Sequence, residues 1–274
     1  MSLLFYICLM DFKNKIVWIT GASSGIGEAL AYEFASKGAH LVLSARREGE
    51  LQRVAKACEV YGNNVLVLPF DMVDLDSHAS QVGQVVQTFG RLDVLVLNAG
   101  VSQRSFVLDT KFEVYRRLFE INFFSIVHLV QKVIPQFQAQ KSGIFVPIAS
   151  VAGRISTPRR AAYGATKHAL IGFFDSVRAE LHNYGVQVST ILPGYIRTEI
   201  SIHAMNEHGE KYGQMDPNQA KGLDPALTAR KIVDAVAQGK NEFFVGGALE
   251  RFGLLVKQIV PAIVPWMLRK IKNT

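Results

Sequence analysis

Tyr163 and Lys167, in the stretch AAYGATKHAL, stand four residues apart, so on a helix both side chains rise from one face. A phenol beside an ammonium is a proton-transfer pair. A tyrosine with the ordinary pKa near 10 needs a shift of about 3 units, roughly 4 kcal/mol, to exchange its proton near pH 7. One ammonium about 4 Å from the phenolate supplies on the order of 4 kcal/mol at an effective dielectric near 20. Burial of the phenolate works against that gain. Chance alone gives about 0.4 such pairs in a chain of this composition, so the spacing takes its meaning from its surroundings. His168 points about 100° away from Lys167 on the same helix and is read as structural.

The elements that must position this pair are legible in the hydropathy pattern. Short apolar, β-branched runs occupy 15–20, 40–45, 64–70, 92–97, 143–149, 186–192 and 242–246. Helical patterns fill the gaps at 25–37, 47–61, 76–89, 111–134, 160–184 and 225–238. Runs apolar on both faces suit strands buried on both sides, and their alternation with helices predicts a doubly wound α/β fold around a parallel sheet. The polar, Gly-containing stretch 196–224 is expected to be a lid. On the apolar stripe of 111–134, Asn122 falls four residues from both Leu118 and Ile126. A buried amide without partners costs on the order of 1–3 kcal/mol, so something must hydrogen-bond it.

In an open parallel sheet, ligands bind beyond the carboxyl ends of the strands. After the first run comes TGASSGIG, with Gly21, Gly25 and Gly27 opening a helix and Ser23, Ser24 and Ile26 between them. Glycine permits the tight turn, and a helix N-terminus offers free N–H groups to a pyrophosphate. The second run ends in SARRE, where a site for NAD(H) would carry an acidic residue for the ribose hydroxyls. Arg46 stands there instead, and a guanidinium grips a 2′-phosphate. NADP(H) is therefore preferred, with NAD(H) as the alternative, and Arg47 is taken as a solvated charge. Asp71 and Met72 follow the third run, and Asn98, Ala99 and Gly100 follow the fourth, suiting an adenine edge and a ribose. Pro193, Gly194, Tyr195, Ile196 and Thr198 follow the sixth, at the expected nicotinamide end.

Composition sets the remaining bounds. The chain has 274 residues, 49% of them apolar and 19% charged, with a formal net charge of +7. That is enough chain for a sizeable core in one domain, expected over 11–250 with the lid included. The basic residues are scattered, so nucleic acid is not an expected partner. Cys8 and Cys58 have no metal or disulfide spacing, the histidines have no metal partners, and no metal is expected. A cytoplasmic setting fits, with peripheral attachment to a membrane surface as the alternative. The segment MSLLFYICLM is too short to span a bilayer, and Met10 could open the domain. In the extension 251–274, Lys257, Pro261 and Pro265 oppose a spanning helix. Residues 254–274 read as a subunit contact, a lid or a membrane-surface segment.

TGASSGIG, NAG at 98–100, Asn122 in FEINFF, Ser150 in IASVAG, Tyr163 and Lys167 in YGATK, and PG at 193–194 follow one another in a known order. In these motifs the chain resembles the short-chain dehydrogenases/reductases in their compact single-domain Rossmann form, from residue 15 to about 200. The wording around LVLSARR and VAGRIS is most similar to the hydroxysteroid-dehydrogenase-like branch. The resemblance implies a seven-stranded parallel sheet of order 3-2-1-4-5-6-7 and a catalytic set of Asn122, Ser150, Tyr163 and Lys167. It implies reversible hydride transfer between a nicotinamide and a carbonyl or secondary alcohol, in a homodimer or homotetramer. In that scheme Tyr163 is the general acid/base, Lys167 also holds the ribose, and Asn122 holds a water in a proton relay to Lys167. Ser150 bonds the substrate oxygen, and the substrate site takes in Ser150, Tyr163 and Tyr195. Ser102 and Gln103, after NAG, are expected there too. Ile200, Ile202, Ala204 and Met205 in the lid point to an apolar ketone or aldehyde. Two departures are Ala149, where many members carry a second serine, and Ser24, where many NADP-preferring members carry a basic residue. The second leaves Arg46 as the main phosphate ligand. Two other readings are a nucleotide-sensing scaffold on this fold and an extended-type epimerase or dehydratase. The first would lack a catalytic residue and the second would need a larger substrate domain.

Overall fold

The computed structural model describes residues 10–270. Residues 1–9, with Cys8, and the last four residues of the C-terminal extension lie outside the described residues. Six parallel strands make the main sheet: β1 (Ile16–Thr20), β2 (His40–Ser44), β3 (Val65–Val67), β4 (Val94–Leu97), β5 (Gly143–Pro147) and β6 (Val186–Val188), in the order 3-2-1-4-5-6. The central strands β1, β4 and β5 are buried along their whole length, as their two-faced apolar runs require.

The expected seventh strand is not part of this sheet. The run 186–192 breaks at Ser189, whose N–H still donates to Phe145 O at 2.9 Å while its Oγ turns to Lys240 O at 2.6 Å. Past the break, β7 (Thr190–Pro193) pairs in parallel with β8 (Glu242–Val245) as a separate two-stranded sheet. An isolated bridge between Ile148 and Ile191 keeps β7 beside the end of β5.

Helices cover both faces of the main sheet. On one face α1 (Gly25–Ser36) and α2 (Glu48–Glu59) bury Leu30, Phe34, Leu51 and Val54 against β1 and β2. On the other, α3 (His78–Phe89) packs with the long helical region that follows β4. That region is not the single helix expected over 111–134. It is α4 (Phe112–Phe119), a π turn (Glu120–Phe124) and α5 (Ser125–Gln140). π turns inside helices are frequent at functional sites, and this one carries Asn122. Next, α6 (Ala161–Leu181) buries Leu170, Phe174, Val177 and Leu181 on the same side as α5.

The stretch 196–224 is more ordered than its composition implies. Its ends are zipped by an Ile196–Leu223 bridge, and a Gln103–Met205 bridge ties its middle to the loop after β4. It also contains α7 (Pro217–Ala220), capped by Asp216, whose carboxylate accepts from Asn218 N at 2.9 Å. Asp224 caps α8 (Pro225–Ala237) in the same way, and α8 returns to pack on α1. The extension is helical: α9 (Ala248–Ile259) and α10 (Val264–Arg269) meet at a bend of 119°.

Candidate active site

Two adjoining cavities open beyond the carboxyl ends of β1, β4, β5 and β7. The first, of about 900 Å³, is lined by Gly21, Ser23, Ser24, Gly25, Ile26, Arg46, Asp71, Met72, Asn98, Ala99, Gly100 and Thr198. Gly21 and Gly25 adopt φ of +66° and +63°, which only glycine does without strain. Gly27 is different, because it lies outside the cavity lining. A Cβ there would run into Gly21 O and Asn98 Nδ2, so Gly27 lets α1 close on β1. The Asn98 amide donates to Thr20 O and Gly21 O at 3.1 and 3.0 Å, and so fixes the glycine turn. The N-cap residue Ser24 makes no side-chain bond to the first turn of α1. A cleft of this size, with a helix N-terminus and close-approach glycines, fits a dinucleotide.

Both arginines after β2 are exposed. Arg46 is 70% exposed and lies 3.8 Å from the Asp71 carboxylate. Arg47 is also exposed, and its Nη2 donates to Ser23 Oγ at 3.1 Å, bracing the glycine turn.

The second cavity, of about 570 Å³, joins the first through Ile26, Asn98, Gly100 and Thr198. Ser150, Tyr163, Lys167, Pro193, Gly194, Tyr195 and Ile196 line it. The N-terminal part of α6 brings Tyr163 and Lys167 to its wall, where both are buried, at 8% and 4% exposure. Lys167 Nζ donates to Ile148 O at 2.8 Å and lies 5.8 Å from the centre of the Tyr163 ring. Burial holds the Lys167 ammonium down at about 8. Burial pushes the Tyr163 phenol above its ordinary range, against the downward pull of the Ser150 hydroxyl, Arg160 and Arg104. At the distance to the ring centre, an ammonium is worth about 3 kcal/mol at an effective dielectric near 20. The expected drop of Tyr163 toward neutrality is therefore not a property of the protein by itself. His168 turns away and bonds Gly164 O at 2.8 Å.

Asn122 sits fully buried below this pair. Its Oδ1 accepts from Val101 N at 2.9 Å, and its Nδ2 donates to Val101 O at 2.9 Å and Thr166 Oγ1 at 3.2 Å. Thr166 in turn donates to Tyr163 O at 2.7 Å. The side-chain amide thus meets protein partners through both its oxygen and its nitrogen. Gln103 does not reach the cavity. It is fully buried, and its Oε1 accepts from Ala162 N and Tyr163 N at 2.8 and 3.3 Å, capping α6. Of the apolar lid residues, Ile200 lines this cavity, while Ala204 and Met205 are buried at the wall of the first.

One feature was foreseen only as a lid among other readings of the extension, and another escaped sequence reasoning. The helices α9 and α10 form one cavity wall through Leu249, Glu250, Gly253, Val264, Met267 and Leu268. The helical spacing of 249/253 and 264/267/268 was the available signal. Arg104, Arg160 and Asp216 also gather at the cavity from three separate segments, and no spacing in the chain announces that.

A doubly wound sheet with a glycine turn, a dinucleotide cleft and a buried Tyr–Lys pair beside it defines a nicotinamide-dependent oxidoreductase. The model of the short chain dehydrogenase family matches residues 15–208. The chain belongs to the short-chain dehydrogenase family. It is 38% identical over 263 residues to a dehydrogenase/reductase SDR family protein 7-like of Anopheles gambiae, covering 94% of this chain and 83% of that one. It is 39% identical over 269 residues to the human dehydrogenase/reductase SDR family member 7, covering 95% and 78%. A short-chain dehydrogenase structure from Streptomyces avermitilis superposes with a TM-score of 0.78 at 27% identity, covering 93% and 97%. One from Burkholderia phymatum, in complex with NAD, gives 0.78 at 26% identity, covering 95% and 93%.

Proposed function

We propose that the protein reduces apolar ketones or aldehydes with NADPH, the reaction being reversible with NADP+ and the matching secondary or primary alcohol. One observation carries this reading: Tyr163 and Ser150 sit together on the wall of a mostly apolar 570 Å³ cavity that opens directly into the dinucleotide cleft. When bound, the nicotinamide supplies the hydride that the carbonyl carbon accepts. Ser150 donates a hydrogen bond to the substrate oxygen, and Tyr163 delivers the proton to it. Lys167 holds the ribose and, while protonated, makes that proton easier to release. Asn122 acts as a positioning residue by fixing Val101 and Thr166. Ile26, Ile148, Val151, Ile155, Leu249 and Met267 supply the apolar wall.

The preference for NADPH rests on Arg46, exposed at the cleft where an NAD(H) site would carry a carboxylate. Arg46→Ala should weaken NADPH binding about 10–100-fold, the range expected for charge-assisted bonds, and leave NADH binding nearly unchanged. Equal losses for both, measured by titration of the protein's fluorescence, would defeat the 2′-phosphate assignment.

The protein works in the cytoplasm as a homo-oligomer that touches a membrane through its extension. Phe252, Leu255, Ile259, Ile263 and Trp266 lie exposed on α9, α10 and the turn between them, with Arg251, Lys257, Arg269 and Lys270 nearby. Apolar residues with basic neighbours suit an anionic lipid surface.

A further inference from the structure

We propose that the substrate carries a carboxylate, held inside the cavity by Arg160 and Arg104; this rests on the reading of that cavity as the substrate site. The charges there do not balance. Arg104 and Arg160 have side chains only 6% and 14% exposed, and both direct Nη2 at the same oxygen, Asp216 Oδ2, at 3.2 and 2.7 Å. The other oxygen of Asp216 is spent on capping α7. Two guanidiniums therefore share one carboxylate, which leaves a single positive charge in a poorly solvated place.

The free donors lie on the same two side chains. Arg104 gives Nη1 to Ser102 Oγ and Gln103 O, both at 2.8 Å, while its Nε is buried with no hydrogen-bond partner. Arg160 uses only Nη2 among the described residues, and its guanidinium stacks over the Tyr195 ring at 5.1 Å. Both arginines line the cavity, as do Lys167 and apolar side chains such as Ile148, Ile155, Leu249 and Met267. Glu250, the carboxylate in the lining, accepts from Tyr195 N at 3.0 Å beside Gly194 and makes no ion pair with either arginine.

Burying an unneutralised cation is costly, and the fold needs only one arginine to anchor Asp216. A carboxylate entering with the substrate removes that cost. A guanidinium edge matches it with two parallel N–H bonds, and its single negative charge equals the excess positive charge of the Arg104–Arg160–Asp216 cluster, the other charged lining groups, Lys167 and Glu250, being of opposite sign. Arg160 and Arg104 also lie close enough to Tyr163 to pull its phenol down, so the anion would sit near the reacting carbonyl end of the cavity.

The test uses the full chain saturated with NADP+ and compares binding of decanoate with that of decanamide, a neutral isostere that cannot be oxidised as an alcohol, by calorimetry. Decanoate should bind at least tenfold more tightly. Arg160→Gln should bring the ratio close to one, and Arg160→Lys should retain part of it. Equal binding of the two probes by the wild type, or a preference untouched by Arg160→Gln, would overturn the proposal. Arg104→Gln should act in the same direction, but Arg160 is the less buried of the two and decides the matter if the Arg104 variant does not fold. No turnover is needed for this reading. Reduction of neutral carbonyls without a decanoate preference would therefore defeat the carboxylate alone. A decanoate preference without carbonyl reduction would support the anion site and defeat the reading of the reaction.

Discussion

Lys167→Met should make the protein more stable at pH 7 while abolishing its activity. Burial lowers the Lys167 ammonium from 10.5 to about 8, so holding it charged costs up to about 3 kcal/mol in the folded state. The sign follows from proton counts. Below about pH 8 both states carry the proton and the full cost is present. Between about 8 and 10.5 the folded state has lost its proton and the unfolded state has not, so the cost fades as pH rises. Methionine fills a similar space with no charge. It also leaves Ile148 O without its 2.8 Å partner, a loss of about 1–2 kcal/mol. The balance is a gain of about 1–2 kcal/mol at pH 7, or roughly 2–8 °C in Tm for a chain of this size. Urea unfolding of both proteins without cofactor, at pH 7 and pH 10, measures it. The advantage of the variant should shrink or reverse at pH 10. A variant that is less stable at pH 7 by more than about 1 kcal/mol, or an advantage that does not change with pH, would refute the argument from burial.

Gln103→Ala removes the cap that accepts from Ala162 N and Tyr163 N. It should cost about 1–2 kcal/mol of stability and lower kcat more than it raises KM, since Tyr163 loses its anchor; unchanged Tm and kcat would remove Gln103 from the positioning scheme. Deleting 254–274 takes away Val264, Met267 and Leu268 from the cavity wall. KM for apolar carbonyls should rise by at least about tenfold, as roughly 1.5 kcal/mol per buried side chain allows. Flotation with anionic liposomes should also be lost, and flotation equal to that of the full chain would exclude the membrane role.

The parallel sheet was legible because runs such as KIVWIT and LDVLVL are apolar on both faces, which amphipathic helices are not. The glycine turn and NAG were legible because backbone approach demands small residues at fixed offsets from a strand end. Ser189 was not, because a serine within an apolar run gives no sign that its hydroxyl will leave the ladder for Lys240 O. Nor was the π turn, since Asn122 keeps its place on the buried stripe whether or not one residue is inserted. Arg47 read as a solvated charge and Gln103 as a substrate-pocket residue, and only the folded loop gives them Ser23 and the start of α6. The shared role of Arg104, Arg160 and Asp216 depends on contacts over 112 and 56 positions of chain, beyond the reach of local spacing.

The most direct measurement is NADPH oxidation, followed by absorbance across a panel of apolar ketones and aldehydes, for the wild type and Tyr163→Phe. The expected result is turnover by the wild type and a fall in kcat/KM of about 10²–10⁴ in the variant, with NADPH still bound. Tight NADPH binding by both proteins, with no wild-type turnover above that of Tyr163→Phe, would contradict the assignment of Tyr163 as the proton donor.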